Sequence, residues 1–136
     1  MTRLTLLKSG AVSEQSIQRA LFDWIRLYPA LKYIIMHIPN EGKRSPQYGS
    51  KLRSQGLTPG VWDVFIASAQ HGFIGAWIEL KSANGKLTPY QEEFGVVMAE
   101  QGYFTAVCKS LDDAINTVKW YMFHNGVCST RMAHHH

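Results

Sequence analysis

The N-terminal part of the chain changes from a helical to an extended pattern of apolar residues. After Ser13, which suits a helix N-cap, apolar side chains recur at intervals of three and four as far as Tyr28. This spacing predicts an amphipathic helix that ends before Pro29. The apolar run at 33–38 predicts a short strand. Residues 1–12 have no strong pattern and are predicted to form an N-terminal arm.

The centre of the chain predicts a buried β-hairpin. Two runs of β-branched and aromatic residues, 61–67 and 75–81, are separated by a polar turn at 68–72. A short helix is predicted before the hairpin at 46–55, and Gly56 is suited to close it. The start of one antiparallel strand lies beside the end of the other, so residues at these two points are expected to meet.

Two helices and one strand are predicted after the hairpin. Thr88, Pro89 and Gln91 match a capping box with proline at the first helical position. The buried stripe of this helix is predicted to comprise Phe94, Val97 and Met98. A strand is predicted over 103–108, and Ser110 is expected to cap a last amphipathic helix.

The order of these elements predicts an α/β fold, with a mixed sheet of about four strands flanked by helices. A strand that follows a crossover helix is expected to run parallel to the strand before it. We expect a single domain over 13–128 and a tail over 129–136, whose three terminal histidines are typical of an expression tag. Trp120 and Phe123 lie off the inward stripe of the last helix, which makes them candidate contacts for a partner subunit.

The composition indicates a globular domain, and its basic charge is compatible with an anionic partner. The chain has 136 residues, 46% of them hydrophobic, and a net charge of +4. This excess is modest and does not by itself identify nucleic acid as the partner. Cys108 and Cys128 lack metal-ligand spacing and predict free thiols in a reducing cell interior. With no apolar run long enough for a membrane span and no signal peptide, a soluble cytoplasmic protein is expected.

Three charged residues of the predicted hairpin indicate a metal site. Asp63 opens the first strand, while Glu79 and Lys81 lie two residues apart on one face of the second. Two neighbouring carboxylates repel unless a proton or cation lies between them, and hard oxygen ligands suit Mg²⁺ or Mn²⁺. A lysine there can orient or deprotonate a water, or neutralise charge in the transition state. An ordinary ion pair at a strand end is the alternative interpretation.

Basic residues precede and follow the hairpin. They lie in the segment 43–53 and in the loop after the second strand, and comprise Lys43, Arg44, Lys51, Arg53 and Lys86. Such residues contact phosphates and position a duplex without reading its sequence. The alternative is a solvated helix and loop.

Several motifs occur in the order and spacing typical of a known nuclease family. The segment 59–63 (PGVWD), followed after fifteen residues by 79–81 (ELK), resembles the PD-(D/E)xK nuclease pattern, although Trp62 stands where that pattern has proline. More narrowly, the chain resembles the VRR-NUC family over roughly residues 14–121. The segments that carry this resemblance are 38–45 (IPNEGKRS), 55–60 (QGLTPG), 77–81 (WIELK) and 85–91 (GKLTPYQ).

The resemblance implies a restriction-endonuclease-like fold and structure-selective, metal-dependent cleavage of DNA. Branched DNA such as four-way (Holliday) junctions is the implied substrate, and a homodimer would place two active sites on it. The implied metal ligands are Asp63, Glu79 and the backbone carbonyl of Leu80, with Lys81 assisting the attacking water.

Two further residues are implied to support this site. Glu14 falls on the apolar stripe of the first helix, where interaction with the helix dipole is the alternative role. Gln91 is implied to lie beside the site, a position compatible with capping its helix.

Two other functions remain open from the sequence. One is a nucleic-acid-binding module that does not cut. The other is a sequence-specific restriction-type endonuclease, which would need base readout, yet no zinc finger or recognition-helix unit is recognised.

Overall fold

A computed structural model of the protein describes residues 12–39 and 46–129. The helices are α1 (Glu14–Ile25), α2 (Pro46–Ser54), α3 (Pro89–Glu100) and α4 (Leu111–Met122), with a 3₁₀ turn at Pro29–Leu31. The strands are β1 (Ile35–His37), β2 (Val64–Ile66), β3 (Ala76–Leu80), β4 (Phe104–Cys108), β5 (Phe123–His124) and β6 (Val127–Cys128). No helix within the described residues has the length and apolar character needed to cross a membrane.

The main sheet has four strands in the order β1-β2-β3-β4. Strand β2 is antiparallel to both β1 and β3, and β4 runs parallel to β3 after the crossover through α3. The predicted α/β class, the hairpin and the mixed four-stranded sheet are therefore confirmed.

The two faces of this sheet are covered differently. Strand alternation turns Val64, Ile66, Ile78 and Leu80 to one face, where they are buried with the apolar stripes of α1 and α4 in the main hydrophobic core. The other face is covered by α3, through contacts such as the edge-to-face pair of Trp77 and Phe94, whose ring centroids are 5.0 Å apart. Asp63 and Glu79 lie on this second face.

The packing of α3 differs from the prediction. Gly95 is its buried residue, whereas Val97 is 41% exposed. The reason is Trp62, which is 3% exposed and lies so close to the helix that a Cβ on Gly95 would sit 2.5 Å from the indole ring. Because Gly95 has no side chain, the indole of Trp62 packs directly on the helix at this point. In this orientation of the helix, Val96 and Val97 face the solvent.

Gly95→Ala is expected to lower the free energy of unfolding by about 1–2 kcal/mol. The clash with Trp62 outweighs the better helix propensity of alanine. Urea unfolding measures the change, with Val96→Ala, at a 59% exposed neighbouring position, as the control expected to stay within about 0.5 kcal/mol of the wild type. A Gly95→Ala protein as stable as the wild type would contradict this packing.

The C-terminus carries a two-stranded hairpin that was not predicted. Strands β5 and β6 pair antiparallel around Asn125 and Gly126, which both have positive φ. Phe123, proposed above as a subunit contact, packs within the chain on Trp24 and Tyr28, with centroid separations of 6.0 and 5.1 Å. Trp120 remains 48% exposed. The predicted arm at 1–12 and tail at 129–136 lie almost wholly outside the described residues, so those boundaries stay predictions.

Candidate active site

The hairpin register brings the two carboxylates together. Val64 pairs with Ile78, so Asp63 and Glu79 stand opposite each other one position further along the two strands. Each is then held by the other strand's backbone: Asp63 N–H donates to Oε1 of Glu79 at 3.1 Å, and Leu80 N–H donates to Oδ2 of Asp63 at 3.0 Å. This reciprocal pair of hydrogen bonds fixes both carboxylates at the end of the hairpin.

Lys81 and Gln91 complete the cluster on the second oxygen of Glu79. The ammonium of Lys81 lies 3.4 Å from Oε2, and the side-chain amide of Gln91 donates to the same atom at 2.8 Å. Lys81 follows β3 directly, and its N–H continues the ladder by donating to the carbonyl of Cys108 at 2.9 Å. Glu79 and Lys81 are only 2% and 7% exposed, so this contact between the ammonium and the carboxyl group is buried.

Gln91 is positioned by the start of α3. Its backbone N–H donates to the hydroxyl of Thr88, and its side-chain oxygen accepts from the Thr88 N–H at 2.9 Å, which is the predicted capping box. The same amide uses its nitrogen to reach Glu79. Gln91 therefore caps the helix and holds the carboxylate at once, as the sequence analysis allowed.

Trp62 and His37 also make hydrogen-bonding contacts at the site, and neither was predicted from the sequence to do so. The indole N–H of Trp62 donates to the carbonyl of Gln91 at 2.9 Å, tying α3 to the residue before Asp63. The carbonyl of Asp63 accepts from Ile38 N–H at 2.8 Å and lies 2.9 Å from Nδ1 of His37. The sequence offered no apolar signal for the contact of Trp62 with α3, because its neighbour on that helix, Gly95, has no side chain.

Burial dominates the electrostatics of Glu79. Desolvation, together with the charge of Asp63, raises the pKa of Glu79 from its ordinary 4.5 to about 8, although Lys81 opposes the shift. One positive charge is thus not enough to keep both carboxylates ionised at neutral pH. The cluster favours additional positive charge, either a proton or a cation.

In metal-free buffer, the free energy of unfolding is expected to fall as pH rises from about 5 to 8. Over that window the folded protein keeps a proton on Glu79 that the unfolded chain has released, so unfolding becomes easier with increasing pH. The fall attributable to Glu79 is on the order of a few kcal/mol. Urea unfolding in chelator at pH 5.5 and 8.5 measures it. Glu79→Gln should lose most of this slope, and an unchanged slope in that variant would refute the assignment.

The residues present fit a hard divalent cation. Asp63 and Glu79 offer carboxylate oxygens, the ligands that Mg²⁺ and Mn²⁺ prefer, on a cluster short of positive charge. Leu80 contributes its N–H to Asp63, and its carbonyl stays a predicted ligand. Glu14 is exposed in the first turn of α1. Within the described part of the chain, no group of three or more His, Cys, Asp or Glu side chains is placed to bind a metal ion. Glu14 therefore does not form such a group with Asp63 and Glu79.

The predicted DNA-binding residues are only partly described. Lys51 and Arg53 are exposed in the last turn of α2, and Lys86 is exposed in the loop between β3 and α3. Lys43 and Arg44 lie outside the described residues. The phosphate-binding role of all five stays a prediction.

Comparison with known proteins identifies the fold. Neither a family model nor a curated protein matches the chain. A solved structure named "VRR_NUC domain protein" superposes with a TM-score of 0.67 at 23% sequence identity, covering 88% of this chain and 98% of that one. The resemblance inferred from the motifs is thereby confirmed for the fold. The chain has the VRR-NUC fold, an α/β restriction-endonuclease-like architecture.

Proposed function

We propose that the protein is a metal-dependent, structure-selective endodeoxyribonuclease that hydrolyses phosphodiester bonds in branched DNA such as four-way junctions. The observation that carries the proposal is the convergence of Asp63, Glu79 and Lys81 at one end of the hairpin, with Gln91 bonded to the central carboxylate. The VRR-NUC fold supports the same class of reaction.

In this proposal, Asp63, Glu79 and the carbonyl of Leu80 hold Mg²⁺ or Mn²⁺. When bound, the ion supplies charge stabilisation for the phosphoryl group and a more acidic water. Lys81 keeps a cation beside the carboxylates, where it stabilises negative charge that develops on the substrate and orients the attacking water. Gln91 holds Glu79 in place.

The exposed cations are proposed to position the DNA. Lys51 and Arg53 on α2 and Lys86 after β3 would contact phosphates, together with Lys43 and Arg44. Phosphate contacts carry no sequence information, which suits selection by DNA shape. We further propose a homodimer, because paired cuts across a junction need two active sites, and action in the cytoplasm of a bacterial or phage-infected cell.

A panel of labelled DNA structures tests this function. Wild type and Glu79→Ala are incubated with a four-way junction, a flap, a nicked duplex and a linear duplex, with Mg²⁺, Mn²⁺ or chelator. We expect cuts near the branch point for the wild type with metal, and none for Glu79→Ala or in chelator. Binding without any cut would support a non-catalytic module, and cutting of linear duplex at one fixed sequence would support a restriction-type enzyme.

A further inference from the structure

A groove lies beside the catalytic cluster, between the turn before β2 and the outer edge of α3. Its volume is about 460 Å³. Pro59 and Val61 line one side, and Tyr90, Phe94 and Val97 line the other. Tyr90 is 63% exposed and Val97 41% exposed, so the groove presents apolar surface to solvent. This surface exists because Trp62 packs on Gly95 and turns the apolar edge of α3 outward.

Both sides of the groove are formed by residues close in sequence to the active-site residues. Val61 is two residues before Asp63, and Tyr90 is adjacent to Gln91, which bonds Glu79. The two sides approach closely at Gly60, where a Cβ would lie only 2.5 Å from the carbonyl of Tyr90. The groove is therefore built from residues that adjoin those of the cluster, so a base next to a phosphate held at the cluster is the part of the DNA within its reach.

The chemistry of the groove suits a base rather than a phosphate. None of its described lining residues carries a positive charge, and Glu93 adds a carboxylate. A phosphate would be repelled there, whereas the exocyclic amino group of cytosine, adenine or guanine could donate to Glu93. The exposed ring of Tyr90 offers a surface on which a base can stack.

We infer that this groove is a subsite for one unstacked nucleobase of the DNA, next to the phosphate that is cut, with Tyr90 as its stacking residue. The inference rests on the proposed function and gives it a physical basis for structure selectivity. Moving a base out of a paired duplex costs free energy, and the cost is least where the base is already unpaired. The groove therefore favours cutting beside branch points and unpaired nucleotides over cutting in continuous duplex.

A binding cycle between Tyr90 and the base tests this subsite. Dissociation constants are measured in chelator for wild type and Tyr90→Ala on a junction, and on the same junction with single abasic sites scanned through five nucleotides on each side of the branch point. Wild type is expected to lose about tenfold in affinity at one or two adjacent abasic positions. Tyr90→Ala should bind intact DNA about tenfold more weakly and be insensitive to the same abasic sites.

Two variants serve as matched controls. Tyr90→Phe keeps the ring and should retain the sensitivity to the abasic site. Val96→Ala removes an exposed apolar side chain of the same helix outside the groove and should behave as wild type.

The outcomes separate this inference from the nuclease proposal. Equal abasic sensitivity in wild type and Tyr90→Ala would overturn the subsite, even if metal-dependent cutting by the wild type is intact. A shift from dimer to monomer in Tyr90→Ala, measured by light scattering, would also overturn it, because a second copy of the chain would then cover the groove. Loss of cutting in the DNA panel would instead overturn the nuclease proposal.

Discussion

Asp63→Asn is expected to lower kcat/KM for DNA cleavage by about a thousandfold or more. A bound metal contributes several kcal/mol of transition-state stabilisation, and each 1.4 kcal/mol is a factor of ten. Asparagine keeps an oxygen that can accept the Leu80 N–H, so the hairpin should fold normally. The change also removes the like charge that raises the pKa of Glu79, and we expect the melting temperature of the variant to equal or exceed that of the wild type.

Asp112→Asn makes the same chemical change at an exposed carboxylate in the first turn of α4 and serves as the control. Its cleavage rate should stay within about threefold of wild type, because surface substitutions away from the site have small effects. Single-turnover cleavage of a junction with Mn²⁺ compares the three proteins. A folded Asp63→Asn protein that cuts at the wild-type rate would remove Asp63 from the mechanism.

Lys81→Met is expected to slow the cleavage step by about 10²–10³-fold while leaving DNA affinity within about threefold of wild type. The ammonium lies beside Glu79, where a positioned cation stabilises charge in the transition state, and losing such a group typically costs this factor. Because Lys81 is buried, it contributes little to the surface that DNA contacts. Its loss should therefore reduce the rate at saturating enzyme rather than binding.

The control for this variant is Lys119→Met, which removes an exposed lysine near the end of α4. Cleavage rates at saturating enzyme report the effect on the cleavage step, and dissociation constants in chelator report the effect on DNA binding. If Lys81→Met weakened DNA binding as strongly as it slowed cutting, Lys81 would be a DNA-contacting residue and not a catalytic one.

Local physical signals were enough to predict most of the fold and the meeting of Asp63 with Glu79. Apolar runs marked the strands, and the capping box identified Thr88 as the N-cap of α3. The meeting of Asp63 with Glu79 follows from strand pairing alone, since the hairpin turn sets the register. Asn125 followed by Gly126 is typical of a tight hairpin turn, so the pairing of β5 with β6 also follows from a local sequence pattern.

The other features that were not predicted depend on contacts between distant parts of the chain. The rotation of α3 is decided by the indole of Trp62, and Gly95 gives no apolar signal because it has no side chain. Likewise, the hydrogen bond from Trp62 to Gln91 and the contact of His37 with the Asp63 carbonyl need the assembled sheet. Helical periodicity alone could not choose between burying Gly95 and burying Val97, and that choice creates the groove beside the site.

Calorimetric titration of Mn²⁺ into the protein at pH 7, in two buffers of different ionisation enthalpy, tests the proposed metal site most directly. Metal binding should displace the proton that the raised pKa of Glu79 retains, so the wild type should bind Mn²⁺ with release of about one proton per ion. Asp63→Asn should show no saturable binding in the same range. Absence of Mn²⁺ binding by the wild type, or equal binding by Asp63→Asn, would contradict a metal site at these carboxylates.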